Sequence, residues 1–182
     1  MSRYSIAGLL CMALVAMSTR AANAQEFSAT LSGFDELGAL NAETGAILSP
    51  GSGSLRLHLD KDAAILTYKL TYSDLTTPVL QAHIHFGKIH VPGGIFVFLC
   101  TNLGNGPAGT PACPNPGGTV EGTLSAAGVL AVPAQNIPAG DFDAVIAILT
   151  SDSAYVNVHT NTFKAGEIRG QIRRSHGDDK QH

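Results

Sequence analysis

Apolar and polar residues alternate along much of this chain, and this pattern limits the folds that it can adopt. In SLRLHLD (54–60), the three leucines point to one side of an extended chain and the polar residues between them point to the other. Similar segments lie at 27–33, 64–72, 80–86, 95–99, 119–125, 155–160 and 166–173. Because turns rich in glycine and proline separate these short segments, the sequence predicts a β-sandwich or barrel.

One stretch, GDFDAVIAILTSDS, departs from the alternation. Its apolar residues recur at the spacing of one helix face, which contains Phe142, Val145, Ile146 and Leu149. Asp141 stands where it can cap the first turn, so the pattern predicts a single short helix over 141–149. A buried strand is the alternative, because the apolar run is continuous and partly β-branched.

The first 24 residues have the features of a secretory signal peptide. A single arginine precedes a short apolar run (6–17), and ANA supplies the small residues of a cleavage site. Cleavage after Ala24 leaves a mature chain that begins at Gln25. Since spanning a bilayer takes about 20 apolar residues, the sequence predicts an exported protein, periplasmic or secreted, without a membrane span. Attachment of a lipid at Cys11 is the alternative.

The composition of the mature chain limits its partners. Removing the two arginines of the signal peptide lowers the formal charge from −3 to about −5, and the sequence has no basic patch. Nucleic acid is therefore not expected as a partner. Residues 25–173 have the size of one domain that buries its own core. Residues 174–182 are polar, which predicts a disordered tail.

Two cysteines remain in the mature chain, and they flank a loop. Cys100 and Cys113 enclose TNLGNGPAGTPA, which consists largely of residues that favour turns. In an exported protein such a pair most often forms a disulfide, and two free thiols are the alternative.

Histidines are concentrated in QAHIHFGKIH (81–90). If Ala82 and Ile84 face the core, His83 and His85 lie together on the opposite face of the strand, about 6.6 Å apart. They are then metal ligands, catalytic groups, or ordinary polar residues on the solvent side.

Two later strands have polar faces of the same kind. In YVNVHT the outer face consists of Tyr155, Asn157 and His159, and in GEIRGQI it consists of Glu167, Arg169 and Gln171. Their short connection favours an antiparallel hairpin. The predicted pairs are His159 with Glu167, Asn157 with Arg169, and Tyr155 with Gln171. If the strand at 80–86 is their neighbour, all these polar residues share one exposed lateral surface.

AHIHFG, FVFLC, FDAVIAILTSDSAYVNVHT and AGEIRGQI together resemble the CHRD domain, the module named for chordin, which also occurs singly in exported bacterial proteins. The resemblance runs in order from Phe27 to Ile172, and its most specific part is the block from Tyr155 to Ile172. It implies an all-β, antiparallel immunoglobulin-like or superoxide-dismutase-like β-sandwich outside the cytoplasm. The residues themselves add one short helix to this prediction.

One function that this chain can serve is that of an interaction or structural module. β-Sandwiches often act as scaffolds whose loops and faces bind other molecules. The expected partner is an unknown extracellular or periplasmic protein or surface.

A second, compatible function is metal binding. Imidazoles on adjacent strands can bind one copper or zinc ion with bonds of about 2.0–2.1 Å. The candidate ligands are His83, His85 and His159, with Glu167 and His90 as further members, and Asn157 and Arg169 lie beside them. Because neutral imidazole binds metal, binding should weaken below about pH 6.5.

A third function is that of a copper redox enzyme resembling copper/zinc superoxide dismutase. The strand His-x-His, the later histidine, the arginine and the disulfide of an exported β-sandwich favour it. A hydrolase is not favoured, because the sequence has no G-x-S-x-G motif.

Overall fold

The computed structural model describes residues 24–37 and 45–175. The strands are β1 (Ala24–Ser32), β2 (Ser52–Asp60), β3 (Ile65–Ser73), β4 (Val79–Phe86), β5 (Gly94–Thr101), β6 (Gly118–Leu124), β7 (Ala154–Thr160), β8 (Ile168–Gln171) and β9 (Arg173–Arg174). The helix α1 spans Phe142–Thr150. Residues 1–23 of the predicted signal peptide and residues 176–182 of the predicted tail lie outside the described residues.

The strands form one antiparallel sheet in the order β5, β4, β7, β8, β1, β2, β3, β6, and β9 pairs with β1. The sheet curves until its two ends approach each other. Tyr68 on β3 donates a hydrogen bond of 2.7 Å from its hydroxyl to the Leu99 carbonyl on β5. The result is a nearly closed sandwich, which confirms the predicted all-β, antiparallel fold with one short helix.

The alternation of β2 matches its burial. Leu55, Leu57 and Leu59 are buried, while Arg56 and His58 between them are exposed. Burial of apolar surface at roughly 25 cal/mol per Å² therefore stabilises one face of this strand. β9 extends the ordered sheet beyond the predicted boundary at residue 173, because Arg174 pairs with Phe27 on β1.

The helix occurs where the sequence predicts it, and Asp141 caps it. The Asp141 carboxylate accepts a hydrogen bond of 2.9 Å from the Ala144 N–H. The prediction of the buried face was wrong at one position. Ile148 is buried, whereas Ile146 is only partly buried, because Ile148 follows Val145 by three residues and so lies on the same face. Among the described residues no helix is long and apolar enough to cross a membrane.

The predicted disulfide between Cys100 and Cys113 is present, with the two Cα atoms 5.0 Å apart. The Asn102 side chain also holds the loop closed, because its amide donates to the Cys113 carbonyl at 3.1 Å and accepts from the Cys113 N–H at 3.0 Å. These contacts anchor the end of β5, the strand that carries Phe98.

Candidate metal centre

The strands with polar faces are neighbours, because β7 lies between β4 and β8. Two predicted pairs occur in the ladder of β7 and β8, and these are Asn157 with Arg169 and Tyr155 with Gln171. The third pair, His159 with Glu167, falls just outside this ladder because β8 begins at Ile168. The topology therefore brings His159 beside the strand that carries His83 and His85.

The prediction that this face is exposed was wrong. His83 is 0 % exposed, and His85 and His159 are each 6 % exposed. Every residue of β7 is buried, so both faces of the sheet are covered at this strand. Alternation distinguishes the two faces of a strand, but it does not predict whether loops cover the second face. Here Glu36, Gly93 and Lys164, from the connections that follow β1, β4 and β7, contact this face.

The histidine cluster, consisting of His83, His85 and His159, brings three potential ligand nitrogens within 4.8 Å of one another. The closest approach is 3.2 Å, between His83 Nδ1 and His159 Nε2. Two nitrogens bonded to one ion at about 2.1 Å lie at most about 4.2 Å apart. The widest separation that the cluster allows therefore has to close by at least about 0.6 Å for two nitrogens on opposite sides of one ion, and by more for a tetrahedral ion.

Backbone carbonyls determine which nitrogen carries the proton on two of the rings. His85 Nδ1 lies 2.9 Å from the Gly93 carbonyl, and His159 Nδ1 lies 2.9 Å from the Lys164 carbonyl. A carbonyl oxygen only accepts hydrogen bonds, so both Nδ1 atoms carry hydrogen. In the neutral rings each Nε2 then has a free electron pair. Histidine ligands of metals are oriented by hydrogen bonds of this kind.

His83 contacts another ring of the cluster through Nδ1, which lies 3.2 Å from His159 Nε2, and it is also held by packing. Its ring contacts Phe98 edge-on, with the ring centroids 4.3 Å apart. Its Nε2 is buried and has no hydrogen-bond partner among the described residues. A buried polar atom without a partner costs about 1–3 kcal/mol. Such an unpaired imidazole nitrogen, beside two free electron pairs, fits a site that accepts a metal ion.

Comparison with known families gives one match, in which the model of the CHRD domain covers residues 27–172. The chain belongs to the CHRD domain family. The match covers most of the chain, includes all three histidines of the cluster, and confirms the resemblance seen in the sequence. No curated protein and no solved structure matches the chain.

Burial keeps the imidazoles of this CHRD domain neutral. Loss of solvation lowers the pKa of His83 to about 2, with smaller effects from the charges of His159 and His85. It lowers the pKa of His85 to about 4, although the hydrogen bond to Gly93 opposes the shift. The pKa of His159 is lowered for the same reason. Because burial lowers the pKa of all three rings, protons are expected to compete with a metal ion for the folded site at a pH below that of a free imidazole.

Asn157 lies in the middle of the cluster. Its Oδ1 is 3.0 Å from His85 Nε2 and 3.0 Å from His159 Nε2. Its Nδ2 donates to the Glu36 carboxylate and to the Ala165 carbonyl, each at 3.4 Å. Glu36 is 4 % exposed, and burial raises the pKa of its carboxyl group. Glu36 could not be identified from the sequence, because a single acid in a loop carries no pattern.

An aromatic stack adjoins the cluster. The Tyr155 ring stacks on the His85 ring with centroids 4.6 Å apart, and the Arg169 guanidinium carbon lies 3.4 Å from the centroid of Tyr155. Arg169 Nη2 donates to the carbonyls of Lys88 and Val91 at 3.0 and 3.1 Å. Arg169 thus attaches the loop after β4 to β8, and Tyr155 orients a histidine of the cluster. The alternation in the sequence predicts that Tyr155 lies on the polar face, but it does not indicate a role for this residue.

A cleft of about 230 Å³ reaches the cluster from the surface, and His85, Tyr155, Asn157 and Arg169 line it. Gly93 borders this cleft, and a Cβ atom at that position would clash with the Phe86 carbonyl. Glycine there allows the chain to return closely past β4, so that its carbonyl reaches His85.

Two predicted ligands do not join the cluster. The Glu167 carboxylate is buried and accepts four hydrogen bonds, from Ser49 Oγ at 2.6 Å, the N–H and hydroxyl of Thr76 at 2.8 and 3.0 Å, and the Thr160 hydroxyl at 2.7 Å. His90 is exposed in the loop after β4. Among the described residues, the group that could hold a metal ion consists of His83, His85 and His159.

Proposed function

We propose that this CHRD protein is an exported module that binds one copper or zinc ion between His83, His85 and His159. The supporting observation is the convergence of three buried imidazoles within 4.8 Å. Sites made of imidazole nitrogens suit copper and zinc. Because burial keeps the rings neutral, no proton has to be displaced from them at neutral pH.

The remaining side chains of the site have separate roles in this proposal. The carbonyls of Gly93 and Lys164 hold two rings in the tautomer that leaves Nε2 free. Phe98 holds the third ring by contact. The site is thus organised by the protein before an ion arrives, which reduces the ordering that binding requires.

Export and an interaction partner belong to the same proposal. The disulfide between Cys100 and Cys113 supports an oxidising compartment, periplasmic or extracellular. We expect the partner to be another protein or a surface in that compartment. The ion and the partner are compatible, because the cluster is buried and the exterior of the sandwich is left for contact.

Metal analysis of the untagged protein tests the proposal. We expect about one copper or zinc ion per chain after loading and removal of free metal. We expect His83→Ala,His85→Ala to retain close to none, because a single remaining imidazole is a weak ligand. The matched control is His58→Ala,His90→Ala, which removes two exposed histidines outside the cluster. Equal metal content in both double variants, or none in the wild type, contradicts the proposal.

A copper redox enzyme is the second candidate function, and the cleft is the observation that favours it. His85 and Arg169 both line the cleft, so a small molecule that enters it can contact both side chains. Copper would supply electron transfer there by changing oxidation state.

We expect copper-loaded protein to dismutate superoxide if this function holds. Zinc-loaded protein serves as the control, because zinc has no redox chemistry. Equal rates for the copper-loaded and zinc-loaded proteins would exclude the redox function and leave metal binding unaffected.

A further inference from the structure

The amide of Asn157 occupies an unusual position between two histidines. Asn157 on β7 is 2 % exposed, and its partner in the backbone ladder with β4 is His83. Its Oδ1 lies 3.0 Å from Nε2 of both His85 and His159. These are hydrogen-bond distances, so the positions of the hydrogens determine whether each contact is a hydrogen bond or an approach of two acceptors.

Neither contact is a hydrogen bond between neutral groups. The Nδ1 hydrogens of His85 and His159 are directed to the Gly93 and Lys164 carbonyls, so each Nε2 has an electron pair and no hydrogen. The amide oxygen of Asn157 is also an acceptor. His83 Nδ1 lies 3.2 Å from His159 Nε2 and can donate to it, but no donor lies between Asn157 Oδ1 and the Nε2 of His85 or His159. A cation would stabilise this arrangement of acceptors.

Rotating the amide exchanges this conflict for another, with the Ala165 carbonyl at 3.4 Å and with Glu36 whenever its carboxyl group is ionised. Asn157 Nδ2 donates to the Glu36 carboxylate and to the Ala165 carbonyl. An inverted amide would direct its oxygen at both of these acceptors. Gly166 has a φ of +133°, and a Cβ atom there would clash with Glu36. Glycine thus allows Glu36 to approach Asn157.

We infer that Asn157 Oδ1 is the fourth ligand of the metal ion, which makes a site of three nitrogens and one oxygen. This inference rests on the proposed function. The separations of Asn157 Oδ1 from the two Nε2 atoms, each 3.0 Å, and of His83 Nδ1 from His159 Nε2, 3.2 Å, are close to the roughly 3.3 Å between ligand atoms bonded at about 2.0–2.1 Å in a tetrahedron. Histidine nitrogens at the 4.8 Å limit of the cluster have to approach each other by about 1.5 Å to reach this value.

The donor set determines which ion the site prefers. Both cysteines of the described chain are joined in a disulfide, so no thiolate is available. Soft sulfur ligands favour Cu⁺, whereas nitrogen and oxygen ligands favour Cu²⁺ and Zn²⁺. The site therefore selects a divalent ion. The hydrogen bond from Asn157 Nδ2 to Glu36 strengthens this preference, because it increases the negative charge on Oδ1.

Two substitutions test the inference. Asn157→Leu removes the oxygen, and Asn157→Asp retains one. We expect the leucine variant to bind Zn²⁺ at least about tenfold more weakly than the wild type, and the aspartate variant at least as tightly. Affinities are measured by competition with a chelator. We also expect the d–d absorption band of bound Cu²⁺ to shift in both variants, because a ligand atom has changed.

The control is Gln81→Leu, which removes an amide next to His159 in the sheet. Its side-chain oxygen accepts from Asn105, outside the cluster, so affinity and spectrum should stay unchanged. Zn²⁺ affinity of Asn157→Leu equal to that of the wild type, or unshifted Cu²⁺ spectra, would overturn the inference. If Asn157→Leu does not fold, Asn157→Asp decides, because weaker Zn²⁺ binding than in the wild type or an unshifted Cu²⁺ spectrum would then overturn the inference. Failure of the proposed function is distinct, because the wild type then binds no ion.

Discussion

Zinc at about a thousand times its dissociation constant is expected to raise the free energy of unfolding of the wild-type protein by about 4 kcal/mol. The ligands lie on two strands, with His83 and His85 on β4 and His159 on β7. Unfolding separates them, so the ion binds the folded state far more tightly than the unfolded chain. This stabilisation is expected to vanish in His83→Ala,His85→Ala.

Urea unfolding with and without zinc measures this effect. Each variant is compared with its own metal-free form, because removing two buried rings also lowers the stability of the apo-protein. His58→Ala,His90→Ala is the control and should gain as much from zinc as the wild type. A zinc-induced gain of the same size in the cluster variant would mean that the ion binds elsewhere.

Metal-free protein is expected to lose on the order of 5 kcal/mol of stability between pH 7 and pH 4.5 through His83 and His85 alone. The pKa of His83 falls from 6.5 to about 2 on folding, and that of His85 falls to about 4. The unfolded chain therefore binds protons first, and stability is lost as the pH falls below 6.5. Most of the loss occurs before the pH reaches the folded pKa of His85.

The test compares the pH dependence of stability in the wild type and in His83→Ala,His85→Ala, with a chelator present. Each histidine that gains a proton on unfolding adds up to about 1.4 kcal/mol per pH unit. Glu36 acts in the opposite sense, because its raised pKa favours the folded state at low pH, but it is the same in both proteins. Parallel curves between pH 4.5 and 6.5 would show that the imidazoles are not kept neutral by burial.

Several features of this fold could be predicted from local patterns. The leucines of β2 alternate with polar residues, and they are buried as the period of a strand requires. Asp141 precedes an apolar helix face and caps α1. Cys100 and Cys113 flank a loop and are joined. In each case the physical cause lies within a few residues of the chain, so the sequence contains the information.

The burial of the polar face could not be predicted in this way. His83, Asn157 and His159 alternate with core residues, as an exposed face would, yet connections from elsewhere in the chain cover them. The sequence also could not show that Glu167 lies outside the histidine cluster, because its hydrogen-bond partners Ser49 and Thr76 come from other parts of the chain. Glu36 carried no local pattern at all.

The sequence by itself determined the family, the strands, the helix, the disulfide and the three histidines that share one side of the sheet. Only the tertiary structure decided that these histidines are buried, that Asn157 lies between them, and that Glu167 and His90 stay apart. The physical reason is that side-chain direction follows from the repeat of the backbone. Solvation, tautomer and pKa depend instead on groups such as the Gly93 and Lys164 carbonyls, which approach only when the whole chain has folded.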